Sequence, residues 1–307
     1  MNISLLSIVI PVYNDEEVLK ELNARISNVA PSLADSYELV LIDDGSKDKS
    51  WEEICKLKQI NENIVAVKLV RNFGQQNAIA AGLNVAKGEI IVLMDSDLQD
   101  RPEDIHLLLE ALEKHNASMA IAQWISREDS FFKKFVSNLF YQVSDKITNI
   151  HIQPKLGCFR AMRREVVEEL KNFPEKTATT LSLLYFIGSN YVCVPLKRDA
   201  RFAGSSGYNI RKMLSLTFAR IFSFSLFPIR LATYIGLIIT LLSFILGVIF
   251  IIKYFVTDVA HGWTSVIVLI LFLFGLNFAF LGIIGEYLGK IFLETKQRPK
   301  FIIEVIK

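Results

Sequence analysis

Short apolar runs alternate with amphipathic stretches along the first part of the chain. Leu5–Val12 reads as a buried strand that closes on Pro11. Glu16–Leu33 places Val18, Leu19, Leu22, Ile26, Val29 and Leu33 at a helical period. Glu38–Ile42 predicts a second strand, and Asp43-Asp44-Gly45-Ser46 a turn after it. Lys49–Gln59 predicts a helix, Ile64–Val70 a strand, Gln75–Val85 a helix and Glu89–Met94 a strand. Ala78, Ala80, Ala81 and Gly82 give that last helix a face suited to close packing. Pro102, favoured in a first turn, opens the next helix, and Met119–Ala122 predicts a fifth strand. Strand and helix alternating at this spacing predict an α/β fold with a doubly wound, mostly parallel sheet. There is no internal repeat and no low-complexity stretch.

The pattern then changes. Leu231–Ile252 runs for 22 residues without a charge, and Trp263–Gly285 for 23. Each is long enough to cross a hydrocarbon core of about 30 Å as a helix. Composition agrees: 51% of residues are hydrophobic, more than an ordinary soluble domain carries, yet 21% are charged. Between the two regimes, Asn209–Phe227 has Arg211, Lys212 and Arg220 among Ile210, Met213, Leu214, Leu216, Phe218, Ile221, Phe222 and Phe224. That mixture predicts a helix lying in the plane of a membrane interface. The expected division is a soluble domain at 1–208, a juxtamembrane segment at 209–229 and a two-span domain with a short basic tail at 230–307. The Met1 end lacks a basic start, and Pro11 and Asn14 interrupt its apolar run, so no signal peptide is predicted.

Charge sets the orientation. Arg211, Lys212, Arg220 and Arg230 precede the first span, and Lys290, Lys296, Arg298, Lys300 and Lys307 follow the second. The connector 253–262 holds Lys253 alone among Lys and Arg, beside Asp258. Both termini and the soluble domain are therefore expected on the cytoplasmic face of a cell inner membrane. A net charge of +2, with the basic residues gathered at the membrane boundary, points to lipid and not to nucleic acid. Cys55, Cys158 and Cys193 show no paired spacing and are expected as reduced thiols. The four histidines are scattered. Asn277 inside the second span suggests a protein contact there, and with it a homo-oligomer.

The candidate chemistry begins at Asp95-Ser96-Asp97, directly after the apolar strand and before Leu98-Gln99-Asp100. Two carboxylates one residue apart, at the C-terminal end of a buried strand, suit a hard cation, Mg²⁺ or Mn²⁺, of the kind carried on a diphosphate. Open α/β sheets bind ligands at that edge. Pro11-Val12-Tyr13-Asn14-Asp15 and Asp43-Asp44-Gly45-Ser46 end two other strands on the same side.

Together these three loops resemble the family 2 glycosyltransferases of GT-A fold. The resemblance implies that Pro11, Tyr13, Asp15, Asp44 and Ser96 hold the nucleoside of a nucleotide-sugar donor. It also implies that Asp95 and Asp97 are catalytic and, with Gln99, hold the metal. Arg71-Asn72-Phe73-Gly74-Gln75-Gln76, the Leu98-Gln99-Asp100 stretch and Arg201-Phe202-Ala203-Gly204-Ser205-Ser206-Gly207-Tyr208 are similar to the branch that glycosylates polyprenyl phosphates. That branch includes bacterial undecaprenyl-phosphate sugar transferases and dolichol-phosphate mannose synthases. Gly285-Glu286-Tyr287-Leu288-Gly289-Lys290 and Arg298-Pro299-Lys300 fit the bacterial members. In that branch an arginine at the position of Arg201 pairs with phosphate oxygens, so the resemblance implies that Arg201 is catalytic too, with Ser206 and Tyr208 in the same element.

Three positions depart from the branch pattern. Gly207 stands where a lysine is usual. Gln123-Trp124 stands where an arginine often follows the fifth strand, with Arg127 nearby as a substitute. Cys158 replaces an aspartate in Gly157-Cys158-Phe159-Arg160. Cys158, Arg160, Arg127, Ser206 and Tyr208 are the expected acceptor-phosphate residues, with Arg163 and Arg164 as further cations or plain helix-surface charges. The implied activity is inverting, metal-dependent transfer of one sugar, from a UDP-sugar, to undecaprenyl phosphate. A processive polysaccharide synthase would need a Gln-x-x-Arg-Trp element and more spans, and the chain has neither. A non-enzymatic scaffold or flippase subunit would have no use for paired carboxylates at strand ends.

Overall fold

The computed structural model describes residues 2–125, 156–175, 178–187, 190–199, 227–256 and 262–307. The elements below are numbered within those residues. They fall into two compact units: 1–209 with 298–307, and 210–297.

The first unit is built on an eight-stranded sheet of order β7-β5-β6-β4-β1-β2-β3-β8. Its strands are β1 (Leu5–Val12), β2 (Ser36–Asp43), β3 (Ile64–Leu69), β4 (Ile90–Leu93), β5 (Met119–Trp124), β6 (Leu156–Arg163), β7 (Tyr191–Leu196) and β8 (Ile303–Ile306). The central four, β4-β1-β2-β3, are parallel. β6 runs antiparallel between β4 and β5, and β7 is parallel to β5. The helices are α1 (Leu19–Val29), α2 (Ser50–Ile60), α3 (Gln75–Val85), α4 (Ile105–Lys114), α5 (Arg164–Asn172) and α6 (Thr180–Ile187). The predicted strands and helices are present, with α1 shorter than its apolar period and a 3₁₀ turn at Pro102–Asp104 before α4.

Strand alternation sorts the core into two layers. Leu6, Ile8, Ile10 and Val12 pack in a cluster with Leu19, Leu22, Ile26, Ile54, Leu57, Ile105 and Leu108. Val9, Val40, Ile42, Ile91 and Leu93 pack in the other with Ala78, Ile79, Leu83, Val166 and Val167. Helices thus cover both faces, as the near-continuous apolar strands require. Each fully buried aliphatic side chain contributes about 1.5–3 kcal/mol. Gly82 lets α3 lie directly on the sheet, since a Cβ there would stand 2.5 Å from both Ile42 and Val9 side chains.

The tail of the chain departs from the expected division. The boundary 230–307 assigned it to the membrane part, whereas residues 298–307 belong to the sheet unit. β8 pairs antiparallel with β3, Val67 opposite Ile306 and Lys68 opposite Val305. Ala66 and Lys307 exchange backbone hydrogen bonds of 3.0 and 2.9 Å, and Lys68 meets Glu304 at 3.0 Å.

The second unit contains α7 (Phe227–Val256) and α8 (Trp263–Thr295). Both are long and apolar enough to cross a membrane, with spans at Pro228–Leu246 and Phe272–Thr295, and neither span is buried within the protein.

Candidate active site

Parallel pairing brings the C-terminal ends of β1, β2 and β4 to one edge. Val12 lies opposite Asp43, and Val9 opposite Leu93. The three expected loops meet there. Asn14, at φ +57°, donates its N–H to Ser46 Oγ at 3.0 Å and accepts from the Lys47 N–H at 2.8 Å. Asp15 receives the hydroxyl of Ser96 from the β4 loop, while its own N–H donates to Ser50 Oγ at 3.0 Å. Burial raises the Asp15 carboxyl above its usual range, with the Ser96 bond opposing. Tyr13 is exposed at the rim and Pro11 is buried beneath it.

Asp44 has a different surrounding from the open base contact expected. It is 2% exposed, and its two carboxylate oxygens accept the N–H groups of Phe73 and Gly74 at 2.7 and 2.9 Å. It therefore braces the 71–74 loop that leads into α3. Gly45 completes this junction: its φ is +65°, and a Cβ there would stand 2.5 Å from the Arg71 carbonyl carbon and the Asn72 nitrogen. Neighbouring Asp43 is fully buried and accepts from the Ser46 N–H, and burial raises its carboxyl too.

The β4 loop is held by side chains. Asp95 Oδ1 accepts from Gln75 Nε2 at 2.7 Å, at the first residue of α3. Its Oδ2 lies 3.5 Å from Arg198 Nη2. The Cys158 thiol on β6 also donates to Asp95. Asp97 Oδ1 caps the Gln99 N–H at 3.2 Å. Leu98 between them is buried at φ +56°, a left-handed backbone costly for a branched residue and sustained by its packing. Asp100 is fully buried; Arg198 Nε donates to its Oδ1 at 3.1 Å, while its Oδ2 has no partner among the described residues. Burial, reinforced by Asp95 and opposed by Arg198, pushes the Asp100 carboxyl up to about 7.

These residues fit a hard divalent ion. Asp95 and Asp97 offer partly exposed carboxylate oxygens, and Gln99 a carboxamide, all on one loop. Among the described residues no three His, Cys, Asp or Glu side chains converge as a metal cage. An incomplete oxygen set of this kind suits an ion that completes its shell with phosphate oxygens.

β6 corrects the picture of the acceptor residues. Cys158 is buried, and burial, with Asp95 next, lifts its thiol well above the ordinary range. It is a neutral donor behind Asp95. Arg160 is fully buried, donating to the carbonyls of Cys158 at 3.1 Å and Gly157 at 2.8 Å, with Tyr185 Oη at 3.2 Å. Its guanidinium also lies over the Tyr185 ring at 4.8 Å. Arg163 and Arg164 sit at the opposite strand end, Arg163 opposite Ile90 and Arg164 bonded to the carbonyls of Ala86 and Gly88. Arg127, Arg201, Ser206 and Tyr208, and the segment 209–226, lie outside the described residues. Arg198 and Gln75 were not among the expected site residues. Gln75 belongs to the Arg71-Asn72-Phe73-Gly74-Gln75-Gln76 motif, and Arg198 stands three residues before Arg201.

The Glycosyl transferase family 2 model matches residues 7–171, more than half the chain, and takes in every loop just described. The chain belongs to glycosyltransferase family 2. This family 2 glycosyltransferase is 38% identical over 299 residues to an uncharacterized glycosyltransferase, sll0501, of Synechocystis sp., covering 97% of this chain and 94% of that one. It is 36% identical over 304 residues to a prophage bactoprenol glucosyl transferase homolog of Escherichia coli K12, covering 98% and 99%. Among solved structures, mannosyltransferase PcManGT from Pyrobaculum calidifontis, in complex with GDP-Man and Mn²⁺, gives a TM-score of 0.51 at 19% identity. That match covers 73% of this chain and 64% of PcManGT, just under two thirds of it. At that identity the likeness establishes the fold: the sheet is a GT-A sheet.

Proposed function

We propose that this glycosyltransferase moves one sugar from a UDP-sugar to undecaprenyl phosphate, with inversion, at the cytoplasmic face of a membrane. The observation that carries the reading is the β4 loop. It presents Asp95 and Asp97 at the strand edge, beside the Tyr13 rim and the Asp15–Ser96 contact. The near full-length similarity to a relative named for bactoprenol supports the acceptor class.

In this reading Tyr13 stacks on the base, and Asp15 and Ser96 lie against the ribose. Asp44 holds the 71–74 loop as the pocket wall. Asp95, Asp97 and Gln99 would hold Mg²⁺ or Mn²⁺, and the ion would supply positive charge against the donor diphosphate. A phosphate oxygen of the acceptor attacks the anomeric carbon, and the bond from that carbon to the donor diphosphate breaks. No strong base is needed, because a phosphate monoester with a second pKa of about 6 is already mostly dianionic. Cys158 supports Asp95 and takes no proton. By resemblance, Arg201, Ser206, Tyr208 and Arg127 contact the phosphates.

For topology, β8 supports an even number of crossings, since the chain after α8 returns to the unit that precedes α7. A cysteine introduced at Asp258 should label from outside in intact cells. Labelling only after lysis would refute the orientation. The activity is tested by incubating the purified protein with undecaprenyl phosphate and a panel of nucleotide sugars, then weighing the lipid products. A polyprenyl phosphate gaining one sugar is the expected product. A glycan chain, or no lipid product from any donor, would sink the proposal.

A further inference from the structure

The carboxylate loop is fastened by the residues that follow β7. Asp199 donates its N–H to the Gln99 carbonyl at 3.1 Å, and its own carbonyl accepts from Gln99 Nε2 at 3.4 Å. Its carboxylate lies 3.7 Å from Arg101 Nε. Between these contacts stands Arg198, whose guanidinium is fixed on two sides. Nε donates to buried Asp100, and the group lies over the Trp124 ring at 5.0 Å. Trp124 is itself seated against Gly157, where a Cβ would come within 2.4 Å of its indole nitrogen. So fixed, Arg198 turns Nη2 toward Asp95 Oδ2.

We propose that Arg198 makes metal binding conditional on the donor diphosphate. This rests on Asp95 and Asp97 being the metal ligands. A guanidinium at 3.5 Å from Asp95 neutralises part of the charge that would attract a divalent ion. It also repels a lone ion placed there. The same cation favours an ion that arrives with a diphosphate, because the phosphate oxygens bring negative charge to both. Arg198 thus penalises the bare ion and rewards the ion–diphosphate pair. Linkage makes the effect reciprocal: the diphosphate tightens the metal by the factor that the metal tightens the diphosphate. The arginine is a positioning residue that works through Asp95. Its planar fork, seated by Asp100 and Trp124, suits that role better than a lysine would.

The test is a Mn²⁺ titration of the full-length protein followed by electron paramagnetic resonance, with and without saturating UDP. Wild type should bind Mn²⁺ weakly alone and about tenfold or more tightly with UDP, within the usual range of such couplings. Arg198→Gln should bind Mn²⁺ alone more tightly than wild type, and the factor that UDP adds should shrink, leaving the part due to direct phosphate–metal attraction. Arg198→Lys should fall between. Unchanged or weaker Mn²⁺ binding by Arg198→Gln, with the UDP effect intact, overturns the proposal. If the wild type takes up no Mn²⁺ even with UDP, the metal reading beneath it fails as well. Should Arg198→Gln not fold, Trp124→Leu loosens the seat while keeping the charge. It should raise affinity for Mn²⁺ alone and shrink the UDP effect, and failure to do either has the same adverse meaning.

Discussion

Two acidic loops stand at the same edge of this sheet, on either side of β1, and they are held in opposite ways. After β2, Asp44 gives its oxygens to two backbone N–H groups and is almost wholly buried. After β4, Asp95 is held by side chains: the Gln75 amide, the Arg198 guanidinium and the Cys158 thiol. A carboxylate bonded to main chain is part of the frame, because its partners cannot turn away. One bonded to side chains can exchange them for a ligand. The same residue type, on the two strands that flank β1, is a brace in one loop and a candidate ligand in the other.

Substitutions should separate the two. Asp97→Asn removes the charge of a proposed metal ligand and little packing. Transfer should fall about a thousandfold or more, roughly 4 kcal/mol of barrier, while the melting temperature stays close to wild type. Turnover of labelled sugar in membranes, with a parallel melt, checks this, and full activity in excess chelator would count equally against it. Asp44→Ala should do the reverse. It orphans two N–H groups at a junction with no slack, costing about 2–4 kcal/mol of stability. That is a drop of about 4–16 °C in melting temperature for a domain of this size, read by calorimetry. A stable Asp44→Ala protein that has lost donor binding would instead make Asp44 a direct contact. Cys158→Ser should be the mildest. A hydroxyl still donates to Asp95, so turnover should stay within about tenfold, roughly 1.4 kcal/mol. A loss of several orders of magnitude at saturating lipid would return the thiol to the chemistry.

Much of this was readable in the chain. The strand–helix alternation, the small face of α3 and the two uncharged runs all follow from local pattern. So does the position of Asp95 and Asp97 at a strand end. What escaped depended on contacts distant in sequence. Arg198 reads as one basic residue among several, and its partners Asp95 and Asp100 lie about a hundred residues upstream. Arg160 reads as a phosphate ligand because arginines are seldom fully buried. β6, however, lies inside the sheet between β4 and β5, and carbonyls with Tyr185 satisfy the guanidinium. Asp44 showed its carboxylate in the sequence, but not the two amides that occupy it. Ile303-Glu304-Val305-Ile306 alternates as a strand should. Four residues in a basic tail are too short a pattern to stand out, and the partner is β3.

That last pairing has a consequence in time. β8 begins 234 residues after β3 ends, since Ile303 follows Leu69 by that interval. At about 5–20 residues per second, the ribosome needs roughly ten to fifty seconds to cover it. Throughout that interval the outer edge of β3 carries unpaired amides and carbonyls, open to any other strand. The segments made meanwhile include both long apolar helices. Translation order therefore links the two units in time: the sheet of the glycosyltransferase cannot be completed until both long apolar helices have been synthesised.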